Sequence, residues 1–469
     1  MANSIVTVAV TQTVAPTPST LQSSGALISQ GATTLAAGES SLLVELADLA
    51  DILKGALAIT SLTQTAGLAT ATTTAAHGIP VGDVVDVVIA GATPTAYNGR
   101  KTVTATTTTA FTFAIASGTT SPATGTIVYT DGDVEELTSM ATTFFAQGSR
   151  QAVWVLELGE GDAATGVTAL DAYITANPNA NYTPGSEGFF YSYLVPRSWA
   201  DESTYLTFLQ GFQAPTSKTY FFTTMDLSNY TDFDALDKCV IGLVESPDAP
   251  SSEFSLAAAF YVSLAYRPSP TNKVTPFSFS YLFGVTPYPT KGNSSTLAAL
   301  KTAGVNYVGT GAEGGISNTI LLWGTTMDLR GFTYWYSVDA LQIYSDINIA
   351  NAVINGSNNP QNPLYYNQDG IDRLQGVEVG TLNSLISWGL ANGQVAQTSY
   401  NGDELSAAIA AGEFNGKLFV NAVPFLDYAR ANPGDYKIGE YDGMTAGYIA
   451  QNGFIHILFT VNVSDFVAQ

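Results

Sequence analysis

Residues 152–176 read AVWVLELGEGDAATGVTALDAYITA. The opening run of Val, Trp and Leu predicts a strand over 152–158, a Gly-rich turn comes next, and 166–176 predicts a helix. The same unit recurs downstream, with strands over 189–196 and 219–224 around a helix over 203–212. Such alternation predicts an α/β layer on a largely parallel sheet. Thr231-Asp232-Phe233-Asp234 has the form of a capping box opening a short helix. Helices over 251–266 and 296–303 and a strand over 306–309 continue the pattern.

Towards the C-terminus a strand over 320–328 precedes a long helix over 333–354. Tyr336, Ala340, Ile343, Ile347, Ala350 and Ile354 recur three or four apart and form one helical face. A second helix spans 370–390. Asp403 caps a third over 404–411, with Gly412 as its stop. A segment over 417–424 and a last strand complete an α+β end domain. Upstream, 25–31 predicts a strand, and 41–54 and 133–147 predict helices.

Residues 57–130 differ in character. Thr, Ala, Gly and Val dominate, and short alternating runs at 83–89, 101–105, 109–115 and 124–129 are separated by turn signals such as Tyr97-Asn98-Gly99. This predicts a small all-β sandwich or barrel, inserted between core segments 21–56 and 131–150. The fold class is therefore multidomain α/β and α+β, with 151–304 as one core domain and 305–452 as the next. Both ends are extended. Ser4-Ile5-Val6-Thr7-Val8-Ala9-Val10 predicts a strand in an arm over 1–20, set off by Pro16 and Pro18. In 453–469, Ile457, Phe459, Val461 and Val463 share one face of a closing strand. An amphipathic strand at a chain end needs a sheet edge, in its own molecule or in a neighbour.

Composition excludes several functions. The net charge is −23, with 16 basic residues scattered along 469, whereas nucleic-acid binding needs clustered Lys and Arg. No apolar run approaches the ~20 residues of a membrane span, and no basic region with a long apolar stretch after it marks a signal peptide. The lone Cys239 allows no intramolecular disulfide and lies in an apolar, buried-type segment. His77 reads as a turn residue and His456 as a packed strand residue. Neither belongs to a nucleophile motif. Gly309-Thr310-Gly311-Ala312-Glu313-Gly314 fits a dinucleotide pattern, but the next residues read as a strand, without the helix N-terminus that holds a pyrophosphate. Asp131, Asp133, Glu135 and Glu136 have the oxygen ligands that calcium prefers, but their spacing is not that of an EF-hand loop, and a turn with an acidic first helical turn explains them without metal. Asp226, Asp232, Asp234 and Asp237 read as caps and solvated faces. The aromatic runs Phe332-Thr333-Tyr334-Trp335-Tyr336 and Pro363-Leu364-Tyr365-Tyr366 suit packing or an interface better than a sugar platform. No catalytic residue, metal ligand or cofactor is expected.

Several stretches together resemble the contractile tail sheath proteins of bacteriophages. They are Ala303-Gly304-Val305-Asn306, Gly324-Thr325-Thr326-Met327-Asp328, Tyr334-Trp335-Tyr336-Ser337-Val338-Asp339 before the long helix, Gly25-Ala26-Leu27-Ile28-Ser29-Gln30-Gly31, Phe144-Phe145-Ala146-Gln147 and the closing strand. Residues 57–130 depart from that pattern. With Ala76-His77-Gly78-Ile79 and Phe111-Thr112-Phe113, they resemble small β modules inserted in phage virion proteins. The resemblance implies a non-enzymatic subunit of the virion, assembled in the host cytoplasm into stacked hexameric rings. Its partners would be further copies of itself, a tail tube protein, and baseplate and tail terminator proteins, with no nucleic acid and no membrane insertion. It implies contraction from a metastable state that drives the tube through the host envelope for genome ejection. It also implies that terminal arms add strands to neighbouring subunits. The inter-subunit contacts then fall to Ile5, Val6, Val8 and Val10 and to Ile457, Phe459, Val461 and Val463. Rival readings are another virion component, such as a baseplate or receptor-binding adhesin, a cell-wall polysaccharide hydrolase, and a surface-array protein.

Overall fold

The computed structural model describes residues 20–455 apart from 78, 80, 83, 183–185, 312–317 and 393–418. The first described strand, β1 (Gly25–Ser29), lies inside the main sheet, and every one of its residues is buried. Where a helix is expected over 41–54, the structure has the edge strand β2 (Ser40–Leu43) and a 3-10 turn over Leu46–Asp51. Leu42 is exposed and Leu43 fully buried, the alternation of a strand. The Asp48 carboxylate accepts from the Val44 and Glu45 N–H groups and closes the turn at once. Long-range pairing has overridden local helical preference here.

Residues 57–131 form a closed barrel. Its strands are β3 (Leu57–Thr65), β4 (Leu68–Thr73), β5 (Val84–Ala90), β6 (Gly99–Thr107), β7 (Ala110–Ala114) and β8 (Val128–Asp131), in the order β3-β4-β7-β6-β5-β8. The last four correspond to the expected strands, while β3 and β4 are additional. They meet at Ala66-Gly67, both at positive φ, a hairpin turn that carries Ala where Asn or Asp would advertise it. Leu62, Val87, Ile89, Val103, Phe111 and Tyr129 fill the interior, so this is a packed barrel and not a calyx. Leu57 pairs with Tyr129, so the chain joins and quits the barrel at one place.

Helix α1 (Gly132–Phe145) starts directly from β8, with Asp131 as N-cap. The expected alternation then appears as β9 (Val153–Glu157), α2 (Ala163–Ala176), β10 (Ser192–Leu194), α3 (Ser203–Leu209), β11 (Tyr220–Met225) and α4 (Ser255–Leu264), with an additional strand, β12 (Val240–Val244), in the buried-type segment after Cys239. The sheet runs β12-β11-β10-β1-β9-β2 and is parallel except for β2. Both faces are covered. Leu27, Val155 and Phe222 enter one core, and Ala26, Leu156 and Phe221 enter the other. Two local expectations fail. Thr231–Asp234 opens no capped helix but lies at a 3-10 turn over Tyr230–Phe233 without a side-chain cap, and α4 starts at Ser255 rather than at 251.

Helix α5 (Ser294–Thr302) leads to the antiparallel pair β13 (Tyr307–Thr310) and β14 (Thr319–Leu322). The strand expected to run to 328 stops at Leu322. The buried Asn306 Oδ1 accepts from the Gly324 and Thr325 N–H groups at 2.8 and 2.9 Å and turns the chain there. The C-terminal part comprises α6 (Phe332–Ser357), α7 (Gln368–Ser387), β15 (Ala391–Asn392), β16 (Phe419–Ala422), α8 (Phe425–Ala431), α9 (Pro433–Ile438), β17 (Met444–Gly447) and β18 (Ile449–Ala450). One buried hub ties α6 to the sheet. Asp339 accepts from Tyr191 Oη at 2.8 Å, Tyr220 Oη at 2.7 Å and Lys238 Nζ at 3.0 Å. Burial raises the Asp339 carboxyl and lowers the Lys238 ammonium from their ordinary values.

Candidate functional site

The candidate reaction groups are absorbed by structure. His77 is buried in the barrel, its Nε2 2.8 Å from the Thr107 carbonyl, its Nδ1 accepting from the Ile79 N–H, and its ring against Phe111. His456 lies outside the described residues. Cys239 is fully buried and its thiol is pushed up to about 12 by desolvation, the state of an inert thiol. Glu157 is also buried. It accepts from Ser29 Oγ, the Gly31 and Gly159 N–H groups and Thr33 Oγ, each at 2.7 Å, and so fastens the turn after β1. Of the Gly309–Gly314 pattern, the described part belongs to β13 and its turn. Thr310 faces Thr319 across the hairpin, and a Cβ on Gly309 would collide with Leu322 Cδ1. That glycine serves packing. The remainder of the pattern lies outside the described residues.

The acidic stretch 131–136 borders a crevice of about 560 Å³ between the barrel and the carboxyl ends of the parallel strands, the place where open α/β sheets commonly take ligands. Its two cations are already engaged. Arg100 pairs with Asp86 at 2.8 Å and Glu135 at 3.2 Å. Arg197 donates to Glu245 at 2.9 Å and to the Glu253 carbonyl at 2.6 Å, and lies over the Phe254 ring. Burial, with Asp131 and Glu136 nearby, pushes the Asp133 carboxyl up to about 8. The crevice thus repels anions, and its Arg100–Glu135 pair fastens the barrel onto α1. Among the described residues no group of three or more His, Cys, Asp or Glu is placed to hold a metal ion. Asp226 accepts from the Ser228 and Asn229 N–H groups as a cap, and Asp232, Asp234 and Asp237 are exposed. Phe332, Trp335 and Tyr336 are core residues. Tyr365 is exposed, while Tyr366 packs with Phe425 and Tyr436.

A different feature remains open. Strands β16 and β17 form a two-stranded sheet in which Val420 opposes Ala446 and Ala422 opposes Met444. Gln375 of α7 donates to the Val420 carbonyl at 2.8 Å and holds β16 down. Among the described residues nothing pairs with the far edge of β17. Beside it lies a groove of about 560 Å³ lined by Ser345, Asp346, Ile349, Ala350, Glu378, Met444 and Ala446. The single α6 face read from the sequence is buried at Tyr336, Ala340 and Ile343, yet Ala350 is exposed and Ile354 is 60% exposed. The face outruns the core formed by the described residues. Glu378 is only 5% exposed. Its Oε1 accepts from Ser345 Oγ at 2.8 Å, and its Oε2 has no partner among the described residues. Burial raises its carboxyl, and Asp346 adds to the shift. The groove escaped sequence reasoning, although Glu378 shares its spacing with Ile371, Leu382 and Leu385 on the buried side of α7. The staked contacts Ile5, Val6, Val8, Val10, Ile457, Phe459, Val461 and Val463 all lie outside the described residues.

No protein-family model matches the chain, and no curated protein matches it in sequence. Among solved structures, the chain is similar to the anti-feeding prophage baseplate at 12% identity, covering 99% of this chain and 100% of that one, with a TM-score of 0.49. It is similar to the contracted helical sheath of the same particle at 12% identity, with the same coverage and a TM-score of 0.47. A sheath tail protein from Listeria innocua is similar at 10% identity, over 92% of this chain and 94% of that one, with a TM-score of 0.39. Likeness of this strength fixes neither topology nor function.

Proposed function

We propose that the chain is a structural subunit of a phage contractile tail sheath, polymerising as stacked rings around a tail tube and contracting to drive the tube through the host envelope. The observation that supports this reading is that, among the described residues, nothing pairs with the β17 edge or covers the adjacent apolar face of α6, in a chain whose two ends read as amphipathic strands. A strand from a neighbour would complete the sheet and cover the α6 face. Each fully buried Val or Ile side chain contributes about 1.5–3 kcal/mol to such a contact. With a net charge of −23, free subunits repel one another, so apolar contacts and strand pairing must offset that repulsion. Further copies, tube, baseplate and terminator proteins are the partners, and the virion is the location. The work of contraction comes from improved contacts between subunits released from a kinetic trap, with no catalytic step.

The barrel is an inserted module on this reading. Its first and last strands are neighbours, so its removal leaves only a short gap to bridge. The arm hypothesis is tested by deleting residues 1–15 and imaging the purified chain by negative-stain electron microscopy. The expected product is a folded subunit that builds no ordered tubes; normal tubes from the truncated chain refute it. Copy number per particle separates a sheath from a baseplate or adhesin subunit.

A further inference from the structure

The β17 groove is apolar along Ile349, Ala350, Met444 and Ala446, with one polar atom in its wall that nothing among the described residues satisfies: Glu378 Oε2. A buried carboxyl oxygen without a donor is costly, and a donor arriving on a partner removes that cost. Asp346 lines the same groove, so an occupant bearing carboxylates would be repelled. Residues 1–19 contain no Asp or Glu in a chain that has 39, whereas the closing segment carries Asp465. In an extended 4–13 segment, Val6, Val8 and Val10 share a face with Gln12. That face presents three apolar side chains and then an amide that can donate.

We propose that the groove receives residues 4–13 of a second copy of this chain, and that Glu378 sets their register by accepting a hydrogen bond from the Gln12 side chain. This rests on the strand-addition reading above and deepens it. A slip of one residue would turn Thr7, Ala9 and Thr11 into the groove, and a slip of two would move Gln12 away and leave Glu378 unmet. The apolar residues thus supply adhesion, and the polar contact discriminates between registers, as a single buried polar residue does in helical assemblies.

The test uses the full chain and monitors self-association by analytical ultracentrifugation. Glu378→Leu and Gln12→Leu are each expected to weaken association about tenfold or more, because each leaves one buried polar group unmet. The double variant is expected to recover most of that loss. Glu378→Gln serves as the nearly isosteric variant if the leucine variant unfolds, and it is expected to associate more tightly than Glu378→Leu. Register is read directly by pairing Ala350→Cys with Val6→Cys, Val8→Cys or Val10→Cys and oxidising. One pair is expected to cross-link between subunits when Glu378 is present, and adjacent pairs as well in the Glu378→Leu background. Cys239 is buried and does not compete. Val8→Asp tests docking itself. If Val8→Asp abolishes association while the Glu378 and Gln12 variants leave both affinity and cross-link pattern unchanged, the register role is overturned and strand addition stands. If Val8→Asp associates normally, strand addition by this segment fails, and the register role with it.

Discussion

Replacing Asp339 with leucine should destabilise the chain mainly by stranding Lys238. The two side chains are 0% and 1% exposed and 3.0 Å apart. Removing one member of a buried ion pair leaves an uncompensated charge, which costs about 3–5 kcal/mol. The Tyr191 and Tyr220 hydroxyls lose their acceptor in the same step, at about 1–3 kcal/mol each. Lys238 retains the Pro215 carbonyl at 2.9 Å and the faces of Trp335 and Tyr220, which places the charge cost towards the lower end. Adding Lys238→Met removes the stranded ammonium but leaves both tyrosines unmet, so the difference between single and double variants isolates the charge. If the 469 residues unfold together, the unfolding entropy is about 1 kcal/mol/K. The second substitution should then restore about 3 °C of Tm by differential scanning calorimetry. A double variant that melts no higher than Asp339→Leu refutes the reasoning and makes the hub a hydrogen-bond device in which the ion pair is incidental.

Asp133 gives a pH prediction. Its carboxyl is raised from 3.8 to about 8, so its neutral form favours the fold at low pH and that contribution is lost as pH rises from about 4 through 8. Tm measured across this window should fall more steeply in the wild type than in Asp133→Asn, and equal slopes would refute the assignment. Replacing residues 57–130 with a short Gly-Ser bridge should leave a soluble chain with an intact α/β core, checked by circular dichroism and calorimetry; insoluble protein would contradict modularity.

The α/β layer was legible because its strands and helices are local, strongly patterned runs. β11 (YFFTTM) is buried throughout, rich in aromatic and β-branched residues, and its neighbouring segments carry turn signals, so pattern and structure agree. β12 reads only as a buried stretch, since a fully buried strand has no alternation to reveal it. β2 carries no local strand signature, because its identifying feature is its partner, β9, more than a hundred residues away. The β3–β4 hairpin was missed because Ala66 supplies a positive-φ turn position without a turn residue's signature. The groove is half visible: spacing gives one apolar face of α6, but only the structure reveals that its second half, at Ala350 and Ile354, is exposed among the described residues. Glu378 was invisible for a related reason, since an acidic residue at a core position means little until its unmet oxygen is located.

The closed barrel has a consequence for crowding. Among the described residues the other sheets have open edges, such as that of β17, which can pair with a compatible strand nearby. A barrel whose first and last strands are zipped together offers no such template. Copies of it can be packed side by side at very high local concentration without stitching neighbours together in the wrong order. If the chain assembles as proposed, a closed barrel can be exchanged or enlarged without altering strand pairing between copies, because it has no free edge to lend to that pairing.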